Sequence, residues 1–298
     1  MAPRFDCVCV GLSTVDVLAL LDRRLREDEK LAAERIVVDG GGPAGTAACA
    51  AAACGLKAAV LSFVGRDLWT DFVLDGFRRF GVDTRFLQAA SGMSTPVSLI
   101  AVNRRNASRT IIWNSQGAQR RRFSLPALLR RGLLDARCLH CDGHLMELSL
   151  RLARLARAQG ILTSYDCGSV KPRWQELAAL SDVFIASHKF TRQLGLSVPR
   201  AVRRLRRRFG SLTAVTEGEK GFSFFDEASG QVRSVPQRRC PALDTTGCGD
   251  VFHGAFLAHY LRERDFQAAL VFAQAAAGRK TLRLGGRAGI KPARISAP

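Results

Sequence analysis

Asp244-Thr245-Thr246-Gly247-Cys248-Gly249-Asp250 runs without a break into Val251-Phe252-His253-Gly254-Ala255-Phe256-Leu257. The second half is apolar enough for a buried helix, and the first is a loop of small residues that delivers it. Small residues let the backbone approach an anion. The N–H groups of Gly247, Cys248 and Gly249 open the helix, so a nest of donors coincides with the positive end of the helix dipole. That combination suits a phosphoryl group in transfer. Asp250 falls in the first turn beside the nest, where a carboxylate can accept the proton of a hydroxyl attacking phosphorus. A ligand-free, Asp-capped helix start uses the same residue types, and a bare Gly-x-Gly-Asp does not separate the two.

Outward from this stretch the chain alternates. Before it lies a hairpin, Phe222 to Phe225 with Gln231 to Val235, turning at Ala228-Ser229-Gly230. Apolar strands are expected near 137–141, 161–166, 182–186 and 212–216, with helices near 146–158, 171–180 and 198–208 between them. Helices near 248–262 and 265–283 close the chain. Towards the N-terminus, Phe5 to Leu12 reads as a buried strand and 31–39 as another. Gly40-Gly41-Gly42-Pro43 breaks the chain, Pro43 suits a first helical turn, and an Ala-rich helix runs to Ala53 with Gly55 as its stop. A strand at 57–64, a helix at 67–80 and a strand pair at 95–102 and 109–114 follow. Strands alternating with helices imply an α/β fold with a mostly parallel sheet sandwiched by helices. The early strands, about 14–38 and 95–115, are candidates for a small β-sheet lid on one domain spanning 1–298.

Bulk properties narrow the class. The 298 residues are 47% hydrophobic and 24% charged, which is globular and large enough to bury a core. The N-terminal residues carry no signal-peptide pattern, and the longest apolar stretch, Ala44 to Gly55, is far short of a membrane span. A cytoplasmic protein with no membrane partner is expected. Nine scattered cysteines suit reduced core thiols better than a disulfide framework. Cys138-Leu139-His140-Cys141 reads as a buried strand, since zinc would need a second ligand pair.

The net charge of +19 is carried by arginine runs such as Arg120-Arg121-Arg122 and Arg203-Arg204-Leu205-Arg206-Arg207-Arg208. No aromatic residues interleave with them, so a solvated basic face is expected rather than a nucleic-acid surface. A positive potential would still draw anionic substrates.

The seven-residue run resembles the C-terminal signature of the ribokinase/PfkB family of carbohydrate kinases. Gly40-Gly41-Gly42-Pro43-Ala44 with its Ala-rich helix is similar to the family's N-terminal signature, and Thr216-Glu217-Gly218-Glu219-Lys220-Gly221 resembles its nucleotide-side loop. The resemblance covers nearly the whole chain. It implies a ribokinase-like fold, an ATP-dependent sugar kinase, Asp250 as catalytic base, and Gly247, Cys248 and Gly249 as the anion hole. It further implies Asp16, Gly41 and Gly42 as sugar contacts, and Thr216, Gly218, Gly221, Ser187 and Thr245 on the nucleotide side. Arg109 on the expected lid strand is a substrate-side candidate that either reaches a phosphate or faces solvent. Asp166 is a further candidate on the phosphate side. Implied cofactors are ATP and Mg2+, with a monovalent cation as a further candidate, and the implied assembly is a homodimer through the lid. Where relatives carry Asn-x-x-Glu, this chain has Ser187-His188-Lys189-Phe190, so how Mg2+ is placed stays open.

Two subgroups bear on the acceptor. The Gly40 to Thr46 loop, the Asp250-Val251-Phe252-His253-Gly254-Ala255 helix start and the tail Gly285-Gly286-Arg287-Ala288-Gly289-Ile290 resemble sulfofructose kinases. By that resemblance Lys30 and Asn114 fall at two sulfonate-binding positions and His144 at a third, where an arginine is usual. The stretch Asp71 to Asp83 and the strand Ser108 to Ile112 resemble ketohexokinase. A ketose acceptor, sulfofructose or fructose-like, is therefore expected. A nucleoside kinase of the same fold and a non-catalytic nucleic-acid-binding protein are the alternatives.

Overall fold

The computed structural model describes residues 2–115, 117 and 122–291. Arg120 and Arg121 of the first arginine run lie outside the described residues. The strands in chain order are β1 (Phe5–Val10), β2 (Thr14–Leu21), β3 (Arg35–Gly41), β4 (Ala58–Gly65), β5 (Asp83–Ala90), β6 (Val97–Asn103) and β7 (Arg109–Asn114). They continue with β8 (Ala136–Cys141), β9 (Leu162–Cys167), β10 (Val183–Ser187), β11 (Leu212–Thr216), β12 (Phe222–Asp226) and β13 (Gln231–Val235). The described helices are α1 (Pro43–Ala53), α2 (Thr70–Arg78), α3 (Leu125–Arg130), α4 (Met146–Ala158), α5 (Trp174–Ala179), α6 (His188–Gln193), α7 (Val198–Phe209), α8 (Cys248–Glu263) and α9 (Phe266–Lys280).

Nine strands form one sheet in the order β13-β12-β11-β10-β9-β8-β1-β4-β5, parallel from β11 to β5 with β12 and β13 antiparallel at one edge. Helices α3 to α7 pack on one face, and α1, α2, α8 and α9 on the other. Burial on both faces is why β4 reads as the unbroken apolar run AAVLSFVG, with every residue buried. The pleat also explains Cys138-Leu139-His140-Cys141, which is β8: Cys138 packs in the α1/α8 core, and Leu139 and Cys141 in the opposite one.

The second sheet has four strands, β3-β2-β6-β7. In register, Val37, Leu18, Ile100 and Ile111 form one cross-strand row. Of that row's face, Leu18, Leu20, Ile100 and Val102 pack with Leu284, Leu243 and Val37. The neighbouring row, Val38, Val17, Leu99 and Ile112, points to the other face, where Leu99 is 52% and Ile112 66% exposed.

Several boundaries differ from the sequence reading. The strand expected at 31–39 begins at Arg35 and continues to Gly41, because it pairs with β2. Helices expected at 171–180 and 265–283 shorten to α5 and α9. Strand β5 was not expected: at the sheet edge it fully buries just Phe86, so its sequence DTRFLQAA lacks the apolar signal. Helix α6 is short and polar, and depends on Ser187 as N-cap.

Candidate active site

The parallel sheet reverses its winding beside β1. The chain runs out to β4 and β5, returns to β8 on the other side, and continues to β11. In open α/β sheets, ligands bind at such a switch point, at the carboxyl ends of the strands. Asp142 follows β8 there and is 1% exposed. Its Oδ2 accepts Leu12 N at 2.8 Å and Ala44 N at 3.2 Å, and its Oδ1 accepts His144 N at 2.8 Å. One carboxylate thus ties the end of β1, the start of α1 and the loop after β8. Burial alone would raise its pKa, but His144 and these N–H donors hold it below the usual value. Sequence reasoning missed Asp142, although an Asp-Gly directly after a buried strand was a usable signal.

Asp16 on β2 is 5% exposed and accepts Thr14 Oγ1 at 2.7 Å. Burial raises its pKa, while Thr14, Ser98 and the Arg287 guanidinium oppose the rise. A Cβ on Gly41 would stand 2.1 Å from Asp16 Oδ2, so the Gly40–Gly42 turn lies directly against this carboxylate. Arg287, 3% exposed, holds the turn from behind. Its Nη2 donates to Gly41 O at 2.8 Å, its backbone N to Asp39 Oδ2 at 2.8 Å, and its guanidinium lies 4.7 Å from the centre of the Phe77 ring. The tail from Gly285 to Ile290 therefore shapes the site as well as resembling relatives.

Register identifies the small sheet's contribution. Asp39, Asp16, Ser98 and Trp113 form one cross-strand row. The sequence singled out Asn114, but Trp113 is the residue in line with Asp16. Its ring meets the His144 ring edge-on at a centroid distance of 6.1 Å, and His144 Nδ1 lies 3.3 Å from Asp142 Oδ1. Asn114 ends β7 opposite Val97, and Lys30 is exposed in the loop between β2 and β3.

The glycine turn that opens α8 forms at the other side of Asp16. Gly247 takes φ 72° and ψ 0°, a left-handed conformation that disfavours a side chain, and a Cβ there would stand 2.7 Å from Gly286 O. Gly286 in turn approaches Asp16 and Gly41. Helix α8 then begins at Cys248, so its first N–H groups have no earlier helical carbonyl. Asp250 sits in that first turn, part-exposed. The surrounding protein raises its pKa well above the ordinary carboxylate value, and the nearby charges of Asp166, Asp142 and Asp16 push the same way against Arg109. Arg109 Nη1 donates to Thr245 Oγ1 at 2.6 Å, and that hydroxyl donates to Ala107 O at 3.0 Å. The small sheet thus docks through Arg109 on the loop that leads into α8.

Asp166, next to last in β9, lies beside this group. Burial would raise it, but His253, 3.2 Å away on α8, with His140 and Lys171, brings it to about 2. His140, buried against Ser164 and His253, falls to about 4. Further along the same sheet edge, Ser187 pairs in register with Thr216. The Ser187 hydroxyl is engaged structurally, accepting Phe190 N at 3.2 Å and donating to Gly168 O at 2.8 Å. Gly218 opens a 3-10 turn and Gly221, at φ 104°, closes it. Among the described residues no group of three or more His, Cys, Asp or Glu side chains could hold a metal ion.

The chain matches the profile described as pfkB family carbohydrate kinase over residues 4–293. It is 26% identical over 286 residues to a deoxyribokinase of Salmonella typhi, covering 89% of each chain. It is 24% identical over 287 residues to mouse ketohexokinase, covering 92% of this chain and 95% of that one. Ribokinase of Giardia lamblia shares the fold at a TM-score of 0.84, with 20% identity and 96% of both chains covered. An α/β sheet with a separate small sheet, a backbone nest and one carboxylate in the first turn of the following helix define a phosphotransferase of ribokinase-like fold. The chain belongs to the pfkB family of carbohydrate kinases and is a sugar or nucleoside kinase. No helix among the described residues is long and apolar enough to cross a membrane.

Proposed function

We propose that this chain transfers the γ-phosphate of ATP to a hydroxyl of a neutral ketose, with Asp250 as the base. The observation that carries this reading is the position of Asp250 in the first turn of α8, with a raised pKa, next to the nest and to Asp16. Asp250 accepts the hydroxyl proton as the oxygen attacks. The amides of Gly247, Cys248 and Gly249 hold the transferring phosphoryl group, and Arg109 adds positive charge at that end. Asp16 and the Gly41–Gly42 backbone orient the sugar hydroxyls. Thr216, Gly218, Gly221 and Thr245, with Ser187 through its backbone, border the nucleotide. Mg2+ on the phosphates supplies further charge neutralisation. The small sheet serves as a lid that excludes water, in a chain acting as one domain.

Electrostatics favour a fructose-like acceptor over sulfofructose. The acceptor side carries Asp16, Asp39 and Asp142; Arg287 behind it is 3% exposed and gives its Nη2 to Gly41 O and its backbone N to Asp39, with Nη1 buried and unpartnered. His144 is committed to Asp142 and Trp113, and Lys30 is solvent-exposed. A sulfonate would thus face carboxylates and an aromatic wall without a bidentate guanidinium. A nucleoside acceptor is the second reading, because Trp113, 51% exposed, offers a stacking surface. An ADP-release screen over fructose, sulfofructose, ribose, tagatose phosphates and nucleosides should give the highest kcat/KM for fructose or a related neutral ketose. A preference for sulfofructose, or ADP release with no acceptor in the set, would overturn the assignment.

The outer face of the lid, with Ile36, Val38, Leu99 and Ile112 exposed, supports a homodimer through this sheet. Sedimentation equilibrium should return twice the chain mass, and Leu99→Arg should shift it to the monomer. A wild-type monomer at micromolar concentration would reject the dimer.

A further inference from the structure

Lys280, the last residue of α9, has no exposed surface, and neither does its partner Asp244. Its Nζ donates to Asp244 O at 3.0 Å and lies 3.3 Å from Asp244 Oδ2. The carboxylate is otherwise used by the backbone: Oδ1 accepts Thr246 N at 2.8 Å and Oδ2 accepts Gly285 N at 2.9 Å. Leu243 N and Asp244 N both donate to Thr281 O, at 2.8 and 3.1 Å. The tail closes over the pair, since a Cβ on Gly289 would stand 2.5 Å from Lys280 Cα. A dry ammonium thus fastens the loop that, three residues later, turns at Gly247 into the anion-binding nest.

A paired lysine at this depth needs a reason, because an apolar pair of similar volume is often as stable as a buried ion pair. Lys280 is not aimed at substrate. Its charge reaches Cys248 in the nest from the α9 side, while Arg109 reaches it from the lid. Burial would raise Asp244, but Lys280 and the N–H donors hold it below the ordinary carboxylate value; burial lowers Lys280 in turn, and the Asp244 charge beside it opposes that fall. The atoms around Nζ, a main-chain carbonyl and a carboxylate in a fully buried site, are the kind of oxygen ligands that replace the hydration shell of a bare monovalent cation.

We propose that Lys280 is a positioning residue whose ammonium acts as a built-in monovalent cation beneath the nest, so that phosphoryl transfer by this chain requires no added K+ or Na+. The inference rests on the kinase reading above. It also makes a claim about cations that can be measured without turnover.

The test uses the full chain with the acceptor that the screen selects. At constant ionic strength, replacing tetramethylammonium with K+, Na+ or NH4+ should change the wild-type rate by less than about twofold, because the site is already filled. Lys280→Ala should lose about 10- to 100-fold in kcat as the nest shifts, the scale expected for a misplaced reacting group. K+ or NH4+ should restore much of that loss, since truncation leaves a charged hole of matching polarity. Lys280→Met fills the hole with apolar atoms and should stay slow in every salt. A purely structural lysine would give slow variants that no cation restores, and that result overturns the proposal, as does a wild type activated severalfold by K+.

Thermal midpoints separate this claim from the kinase reading. If no acceptor releases ADP, a midpoint raised by K+ and NH4+ in Lys280→Ala, and unmoved in the wild type, still supports the cation role. Equal salt responses in the two proteins overturn it.

Discussion

Asp250→Asn is expected to lower kcat by at least ~10²-fold, the usual scale for removing a general base, while leaving the protein folded and more stable. The amide keeps the volume and reach of the carboxylate but cannot take the acceptor proton as a base. Stability moves the other way because of the neighbourhood. Asp250 is raised by its surroundings and then by Asp166, Asp142 and Asp16. A carboxylate whose folded pKa exceeds its unfolded one favours folding when protonated, so its contribution is present at low pH and fades as pH rises through the folded value. Above the ordinary carboxylate range this raised acid works against folding, and Asn removes that cost. A gain of about 1 kcal/mol would raise the thermal midpoint by roughly 2 °C. Activity should show the matching limb: wild-type kcat should fall on the acid side through a pKa above the ordinary carboxylate range. Near-wild-type turnover in Asp250→Asn at saturating substrate would remove Asp250 from the chemistry.

Gly254→Leu should be the most damaging change remote from the reacting atoms. Gly254 lies one turn beyond Asp250 on α8, where the helix crosses α1. A Cβ there would stand 2.3 Å from Ala47 O, 2.7 Å from Ala50 Cβ and 2.8 Å from Ala51 N. Two of these atoms are backbone, so no rotamer change relieves the contact and the helices must separate. Overpacking of this kind costs about 1–3 kcal/mol, occasionally more, enough to lower the midpoint by about 2–6 °C. The functional loss should be larger than the stability loss suggests. Helix α1 follows the Gly40–Gly42 turn and α8 carries the nest and Asp250, so separating them pulls the acceptor away from its base. Displacement near 1 Å can cost ~10²-fold. Steady-state kinetics and calorimetry on the same preparation check both. Wild-type values in both would mean that the α1–α8 contact is looser than these distances require.

The same contact explains a feature of the sequence. The Ala-rich run of α1 carries little information about burial, since alanine suits a helix anywhere. Next to Gly254 it becomes specific, because small residues on both helices allow their close approach. The Pro43 start and the Ala53 end were both legible, as was α8 itself, while the packing of one helix on the other was not.

Local chemistry set much of what the chain determines by itself. The left-handed turn at Gly247, the donors opening α8, the carboxylate in its first turn, and the alternation of buried strands with helices all follow from residue type and spacing. So do the Pro43 helix start and the antiparallel hairpin of β12 and β13. Tertiary structure decided the rest, because those relations join residues far apart in the chain. Asp142 became an organiser only when β8 lay beside β1 and Leu12 and Ala44 turned towards it. Trp113 came into line with Asp16 only through strand register, and register flips every side chain with a one-residue slip. Arg287 and Lys280 look like ordinary surface cations in sequence. They are buried because the tail from Gly285 to Ile290 folds back against the two glycine turns, a closure that sequence spacing does not encode.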